Sequence, residues 1–283
     1  MSTQLATCYR HPDRETGVRC QRCERPICPA CMVPAPVGVQ CVECVRRAQP
    51  RLAPGQSLRR MTGGPFVTYS LITVNVIVWL FGLLVAPQAL LTGSPLAGIG
   101  GLFGPAIAAG QWWRIFTAAF LHSGLIHLGL NMAVLYMLGP SLERALGRVA
   151  FLSLYVAGLT AAAVGALLLS PNSFTVGASG AIFALMGAII MGQRASGIDP
   201  RRSGIIGLVV INLVFTLVVP GISIGGHLGG LAGGIVAGAI LFRRSLGPGT
   251  AILVCCGLAG VFVVAALWVA GHPVQVPVPG AVR

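Results

Sequence analysis

Seven long apolar runs occupy most of the sequence after residue 65 and limit the folds that the chain can adopt. They lie near residues 66–86, 117–139, 149–169, 179–194, 204–220, 226–242 and 250–270. A helix needs about 20 apolar residues to cross the roughly 30 Å hydrocarbon core of a bilayer. Only 9% of the residues are charged, against roughly 25% in an ordinary soluble domain. The sequence therefore predicts an all-α polytopic membrane protein with seven transmembrane helices.

The positions of the arginines predict how these helices are oriented. The chain has 19 basic residues against 6 acidic ones, and every basic residue is an arginine. Arginines flank alternate connections, at 144 and 148, at 194, 201 and 202, and at 243 and 244. By the positive-inside rule these connections are cytoplasmic. An odd number of spans then places the N-terminus inside and the Pro-rich tail, residues 272–283, outside. The long apolar connection 87–116 carries Trp112 and Trp113, which suit the membrane interface.

The first 45 residues carry four pairs of residues with zinc-ligand spacing. The pairs are Cys8 with His11, Cys20 with Cys23, Cys28 with Cys31, and Cys41 with Cys44. Eight such ligands suffice for two closed tetrahedral Zn²⁺ sites, which predicts structural metal and a reducing compartment. The segment is too polar to hold a hydrophobic core, so the metal would supply its folding energy.

The spacing of these pairs resembles B-box zinc fingers, whose ligand pairs interleave. The resemblance implies one ion at Cys8, His11, Cys28 and Cys31, and a second at Cys20, Cys23, Cys41 and Cys44; sequential pairing is the alternative. The arginines of the following linker, residues 46–64, suit an anionic membrane face. No aromatic residues interleave with them, so nucleic acid is not an expected partner.

Polar residues inside the apolar runs point to a site. Ser179 stands between glycines at the start of the fourth run, while His122, His127 and Asn131 lie in the second run and His227 opens the sixth. Polar groups are costly in hydrocarbon and mark functional sites by default. The predicted topology puts all of them near the outer membrane surface. A serine at a helix start could instead simply cap the helix.

Small residues indicate how two of these groups meet. Glycines recur every fourth residue along the sixth run, at positions 226, 230, 234 and 238, and the run that begins at Ser179 has a matching small-residue face. Such faces allow close helix packing. Packing of these two runs would bring His227 to the Ser179 hydroxyl, which is the arrangement of an activated nucleophile. The only acidic residues after residue 45, Glu143 and Asp199, fall on the cytoplasmic side, which leaves a dyad without a third member.

These motifs together resemble those of rhomboid intramembrane serine proteases over about residues 66–243. The matching segments are Trp113-Arg114, the His122, His127 and Asn131 pattern, Leu142-Glu143-Arg144 with Gly147, Gly177-Ala178-Ser179-Gly180, and Gly226-His227 with Gly230. The seventh run resembles the six-plus-one form of the family. The order and spacing of five motifs make the resemblance specific, although it does not include the cysteine-rich segment.

The resemblance implies a function and a role for each residue. Ser179 would be the nucleophile and His227 the general base, and the Ser179 N–H with the side chains of His127 and Asn131 would form the oxyanion site. Phe183 stands where family members often have tyrosine, and its ring could still stack on His227. Supporting positions are His122, Gly177, Gly180 and Gly226. The implied reaction is hydrolysis of peptide bonds in or near transmembrane segments of other membrane proteins.

The domain organisation that follows has five parts. A zinc module (1–45) and a linker (46–64) precede a six-helix rhomboid core (65–245), an extra helix (246–271) and the tail (272–283). We expect a bacterial cell membrane, with the zinc module either binding a cytoplasmic protein or self-associating. Two alternatives are a non-catalytic rhomboid-like protein that binds membrane clients and a transporter that uses the histidines as a proton relay. The intact Ser179 and His227 argue against the first, and the lack of an internal repeat argues against the second.

Overall fold

The protein is described from a computed structural model, which covers residues 6–34, 39–48, 64–85, 96–243 and 245–273. Most of the predicted linker and tail, together with residues 86–95 of the predicted loop and Arg244, lie outside the described residues. The chain divides into two compact units, residues 1–58 and 59–283.

The first unit is built from two antiparallel hairpins and a short helix. Strands β1 (Ala6–Cys8) and β2 (His11–Thr16) form one hairpin, β3 (Met32–Pro34) and β4 (Val39–Cys41) form the other, and α1 is Val42–Ala48. Among its described residues, the buried apolar side chains are Ile27 and six cysteines. One isoleucine is too little apolar surface to stabilise a unit of this size, and the other buried apolar side chains are cysteines, which are potential metal ligands.

The described part of the second unit contains seven long helices. They are α2 (Phe66–Val85), α3 (Leu125–Leu146), α4 (Arg148–Leu169), α5 (Ser179–Ala195), α6 (Ile205–Val218), α7 (Ile224–Leu241) and α8 (Pro248–Gly271). Five are long and apolar enough to cross a membrane, while α5 and α6 are shorter apolar helices. The predicted fold class, an all-α helical membrane bundle with a small N-terminal module, is confirmed. The short helices Ala97–Gly100, Gly104–Ala108 and Arg114–Thr117 and the 3-10 turn Ala118–Phe120 precede α3.

The predicted second span, residues 117–139, begins and ends about two helical turns before the observed helix α3. Residues 114–120 form the short helical turns, and α3 begins only after Gly124, whose backbone is extended. Hydropathy could not locate this break because the residues on both sides of it are apolar. At its other end α3 continues past Pro140 to Leu146. Each of the other helices begins and ends within about two residues of its predicted run, an ordinary boundary error.

Two buried charged side chains hold the ends of helices and the loop that precedes α3. Glu143 of α3 is 3% exposed, and its carboxylate accepts hydrogen bonds from the backbone N–H groups of Val67 and Thr68 and from the Thr68 hydroxyl, at 2.7–2.9 Å. A carboxylate at a helix N-terminus satisfies free N–H groups and complements the helix dipole. Arg114 donates to the carbonyls of Gly98 and Gly101, both at 2.8 Å, and so fixes the loop.

Helix α7 is held between α4 and α5 by glycines on two of its faces. A Cβ atom added at Gly230 would lie 2.8 Å from the carbonyl carbon of Gly180 in α5, and one at Gly238 would lie 2.6 Å from Cα of Ala188. On another face, a Cβ at Gly229 would lie 2.6 Å from the Ala161 carbonyl oxygen of α4. The predicted packing of the glycine ridge on α5 is confirmed, and the contact with α4 adds a second close interface. This packing fixes where the first turn of α7 meets the first turn of α5.

Candidate functional site

The Ser179 and His227 side chains meet where α5 and α7 begin. His227 Nε2 lies 2.7 Å from Ser179 Oγ, which is hydrogen-bonding distance. The residue before α5 is Ala178, which makes no side-chain cap, and the partner of the Ser179 hydroxyl is the imidazole rather than a backbone N–H of its helix. The simple capping explanation for Ser179 is therefore not the arrangement present.

The position of the His227 ring is fixed by its own helix and by contacts with α5 and α6. Its helix, α7, begins after Ser223, whose hydroxyl accepts the Gly226 N–H at 3.0 Å. The ring of Phe183, one turn along α5, stacks on the imidazole with centroids 4.3 Å apart and an angle of 23° between planes. On the other ring nitrogen, Nδ1, the Thr216 hydroxyl of α6 lies at 2.6 Å. His227 is 7% exposed, so its orientation is fixed by packing as well as by hydrogen bonds.

Two of the residues expected to form an oxyanion site, His127 and Ser179, lie beside Gly177. This glycine has φ +126°, which a residue with a side chain rarely adopts, and a Cβ atom there would lie 2.9 Å from His127 Nε2 and 3.6 Å from Ser179 Oγ. The His127 ring therefore faces the segment that leads into Ser179. Its other nitrogen, Nδ1, lies 3.0 Å from the Ser123 hydroxyl.

Asn131 and His122 are near the site but have other contacts. The Asn131 amide donates to the carbonyl of His127 at 2.8 Å, so in this structure it satisfies its own helix. The His122 ring lies 5.1 Å from the His127 ring in an edge-on arrangement. It is 1% exposed, and neither of its ring nitrogens has a hydrogen-bond partner within the described part of the chain. His122 therefore contacts the ring of His127, whereas Asn131 bonds to the His127 backbone.

A cavity of about 790 Å³ opens onto the dyad. Its wall includes Ser179, His127 and His227, and it extends to Phe215 of α6 and to the connection between α6 and α7 at Pro220. The lining is mostly apolar with a few polar groups at one end, as in typical small-ligand and peptide sites. Its volume falls within the roughly 300–1,000 Å³ of typical ligand pockets.

Thr216 was not singled out by the sequence reasoning. A threonine in an apolar helix usually returns its hydroxyl to a carbonyl of the preceding turn, so it carried no signal of its own. Thr216 also lies in a different helix from Ser179 and from His227, so no spacing within one helix connects it with them. Glycines 180 and 226, which were singled out, act as spacers: a Cβ at Gly180 would contact Ala162, and one at Gly226 would lie 3.0 Å from Ser223 Oγ.

The cysteine pairs of the first unit form two separate clusters. One contains Cys8, His11, Cys28 and Cys31, and the other contains Cys20, Cys23, Cys41 and Cys44; the ligand atoms in each lie within 4.8 Å of one another. This is the interleaved grouping that the B-box resemblance implied. The alternative, in which two pairs that follow one another in the chain share one ion, is not the grouping observed. Adjacent ligands of a tetrahedral zinc ion with ~2.3 Å Zn–S bonds lie about 3.8 Å apart. The sulfurs of Cys28 and Cys31 lie 3.4 Å from His11 Nδ1, and those of Cys23 and Cys41 are 3.8 Å apart, so the donors fit such an ion.

Hydrogen bonds from Arg25 favour the thiolate form of Cys23 in the second cluster. Arg25 Nε donates to Cys23 Sγ at 3.4 Å, and this bond, with one from the Arg25 backbone, lowers the pKa of Cys23 to about 6. Arg25 is itself held by an ion pair of 2.7 Å with Glu43 and by the ring of Tyr9, 4.4 Å from its guanidinium carbon. Because metal ligation requires thiolates, these contacts favour binding of a cation.

Comparison with known proteins identifies the family of the second unit. The Rhomboid domain matches residues 109–244. The Bacillus subtilis rhomboid protease GluP is 34% identical over 63% of this chain and 35% of its own length, and the putative rhomboid protease YdcA of the same organism is 34% identical over 44% and 61%. Rhomboid-like protease 2 of Toxoplasma gondii is 32% identical over 68% of this chain and 66% of its own length. The chain thus spans about a third of GluP and about three fifths of YdcA. The matched region contains both Ser179 and His227, and the chain is a multi-pass membrane protein that belongs to the rhomboid family.

Proposed function

We propose that the protein is an intramembrane serine endopeptidase in which Ser179 is the nucleophile and His227 the general base. The observation that carries the proposal is the 2.7 Å contact between Ser179 Oγ and His227 Nε2 at the wall of a cavity among the helices. A nucleophile within hydrogen-bond reach of an oriented base is the geometry of acyl transfer. The relatives named as rhomboid proteases support the same chemistry.

The reaction follows from this geometry in two stages. Ser179 Oγ attacks the carbonyl carbon of the scissile peptide bond, while His227 Nε2 accepts the hydroxyl proton. The C–N bond then breaks, and the imidazolium returns its proton to the leaving amine. A water molecule, deprotonated by the same imidazole, attacks the acyl-enzyme and releases the new carboxyl group and the Ser179 hydroxyl.

The negative charge that develops on the carbonyl oxygen needs hydrogen-bond donors. The Ser179 N–H points out of the first turn of α5, where free N–H groups are available. His127 lies beside Gly177, and the side chain of Asn131, one turn further along α3, bonds to the His127 carbonyl. Asn131 would exchange its bond to the His127 carbonyl for one to the substrate. Preorganised donors of this kind commonly provide the largest share of the rate enhancement.

The substrate is proposed to be a transmembrane segment of another protein. Access would be lateral, past α6, because the cavity is lined on that side by Phe215 and Val219. The peptide must be extended to lie along Ser179, so segments with small or helix-weakening residues would be favoured. The arginine distribution supports a cell-membrane location with a cytoplasmic N-terminus and an external C-terminus.

The first unit is proposed to bind two structural Zn²⁺ ions. Both donor sets are closed, with four protein ligands each, which leaves no position for a substrate or a catalytic water. A stable small surface of this kind suits binding of a cytoplasmic protein. Equal cleavage of natural substrates in cells after deletion of residues 1–45 would contradict a recruiting role.

Cleavage of a single-span reporter by purified protein in liposomes tests the proposed activity. We expect wild type to cleave and Ser179→Ala and His227→Ala to lose cleavage while keeping their melting temperature. Ser173→Ala, which changes an exposed serine of the connection before α5, is the matched control and should keep full activity. Cleavage by Ser179→Ala at the wild-type rate would refute the mechanism. Folded wild type that neither cleaves nor reacts with a fluorophosphonate would favour a protein that only binds membrane clients.

A further inference from the structure

Thr216 occupies the position next to His227 that an acidic residue occupies in a three-membered catalytic site. It lies near the end of α6 and is 3% exposed. Its hydroxyl oxygen is 2.6 Å from His227 Nδ1 and 2.7 Å from the backbone carbonyl oxygen of Asn212. One hydroxyl therefore connects the backbone of α6 with the imidazole of α7.

Counting donors and acceptors fixes the direction of both hydrogen bonds. A carbonyl oxygen can only accept, and a threonine hydroxyl has one proton to donate. If that proton pointed at His227 Nδ1, two oxygens without a proton between them would lie 2.7 Å apart, which is repulsive. The arrangement that satisfies both contacts has Thr216 donating to Asn212 and accepting the N–H of His227 Nδ1.

This direction determines which ring nitrogen can act as a base. A neutral imidazole carries one proton, so a proton on Nδ1 leaves the lone pair on Nε2. Nε2 is the nitrogen that lies 2.7 Å from Ser179 Oγ. In the opposite tautomer Nε2 would donate to the serine and could not accept its proton. The state of the Thr216 hydroxyl therefore decides whether His227 is ready to deprotonate Ser179.

We propose that Thr216 is a positioning residue that fixes the Nδ1–H tautomer and the ring orientation of His227. The proposal rests on the proposed function, because it assigns a role within the same reaction. Thr216 does by hydrogen bonding alone what a carboxylate does in a charged triad. A hydroxyl also suits a membrane helix, since it satisfies its own backbone and adds no charge.

The position of Thr216 also gives α6 a direct influence on the base. Phe215 and Val219, on either side of it in sequence, line the cavity. Most of the other α6 side chains near it, including Val214, Leu217 and Val218, are more than half exposed, so the helix is held mainly at a few buried positions. A change in the position of α6 would therefore change the hydrogen bond that sets the tautomer.

Three variants separate the hydroxyl from the shape of the side chain. Thr216→Val has nearly the same volume and lacks the hydroxyl, while Thr216→Ser keeps the hydroxyl. Thr160→Val is the matched control, because Thr160 is also fully buried and bonds only to carbonyls of its own helix, those of Val156 and Ala157. A hydrogen bond involving a charged group corresponds to about 10- to 100-fold in rate. We expect Thr216→Val to lower kcat by that factor at unchanged KM, and Thr216→Ser and Thr160→Val to stay within about threefold of wild type.

A spectroscopic measurement tests the tautomer without relying on activity. Nitrogen NMR of ¹⁵N-histidine-labelled protein in detergent micelles, assigned with His227→Ala, reports which ring nitrogen carries the proton. We expect the Nδ1–H form in wild type and Thr216→Ser and a mixture of forms in Thr216→Val. Wild type in the Nε2–H form, or Thr216→Val that retains both the Nδ1–H form and the wild-type kcat, would overturn the proposal. If wild type showed the Nδ1–H form but neither cleaved the reporter nor reacted with a fluorophosphonate, the protease assignment would fail while the role of Thr216 in fixing the tautomer would be supported.

Discussion

Gly230 of α7 lies against the backbone next to Ser179, and Gly230→Ala measures how much the dyad depends on that contact. A Cβ at this position would lie 2.8 Å from the Gly180 carbonyl carbon and 3.1 Å from Gly180 Cα. Carbon atoms in contact prefer about 3.5–4.0 Å. The Gly180 carbonyl oxygen is nearer still, and all three obstacles are backbone atoms, which cannot rotate away. The two helices must therefore separate here by roughly 1 Å.

This separation acts directly on the distance between Ser179 and His227. His227 lies three residues before Gly230 on α7, and Gly180 directly follows Ser179 on α5. An increase of about 1 Å would take the 2.7 Å Oγ–Nε2 contact beyond the 2.6–3.2 Å that proton transfer requires. A misplacement of that size can cost on the order of 100-fold in rate. We predict a loss of about 100-fold in kcat/KM, with about 1–3 kcal/mol of destabilisation from overpacking.

The assay is reporter cleavage in liposomes, with melting in detergent measured on the same samples. Gly260→Ala is the matched control because Gly260 also lies within a long helix, α8, and a Cβ there would meet nothing within 4 Å. We expect Gly260→Ala to cleave at the wild-type rate and to melt no lower than wild type. If Gly230→Ala also kept the wild-type rate, the close approach of α5 and α7 would not be what holds the dyad, and the reasoning would be wrong.

Three further predictions concern the groups around the site and the first unit. Glu143→Gln should destabilise the protein by about 2–4 kcal/mol, because it weakens charge-assisted hydrogen bonds to the start of α2. An unchanged melting temperature in detergent would contradict this. The control Asp199→Asn, at an exposed ion pair, should change the melting temperature little. Phe183→Leu should lower kcat about tenfold by removing the ring stacked on His227, whereas Phe183→Tyr should keep it; equal rates in both would show that the stacking has no role. Metal analysis of the full chain should find two zinc ions, and Cys8→Ser should lose one of them. A strong chelator should remove both ions and unfold residues 6–48, as followed by amide NMR. A single ion in wild type would contradict two sites.

The parts of the site that the sequence predicted are those with a local signal in the sequence of a single helix. The glycines at every fourth position of α7 mark a face that can only pack closely, and that face leads to His227. Ser179 between glycines at the start of an apolar run supplied the other side. Because both signals are local, their convergence could be predicted before the tertiary arrangement was known. The interleaved metal clusters depended on resemblance, since pair spacing alone allows either grouping.

The parts that the sequence did not predict depend on contacts between distant residues. Glu143 belongs to one of the matching motifs, but that motif does not indicate that its carboxylate accepts the N–H of Thr68, 75 positions away. The start of α3 was misplaced because Gly124 interrupts a continuous apolar stretch without changing its hydropathy. Thr216 reaches His227 only because of the tight connection between α6 and α7.

Three polar side chains of the membrane unit satisfy their hydrogen bonds in the same way, which bears on how the proposed site works. Asn131 donates to the carbonyl of His127, Thr216 to that of Asn212, and Asn212 to that of Leu208, each four residues earlier in the same helix. A side chain satisfied in this way can lie in hydrocarbon without a partner on another helix. It can also exchange that bond for one to a substrate or a catalytic group, because the helix carbonyl it leaves still accepts its backbone N–H. Asn131 would use this exchange when the oxyanion forms, while Thr216 keeps its helix bond and accepts from His227 at the same time. The same local bond therefore makes one side chain available to the substrate and fixes the direction of the other.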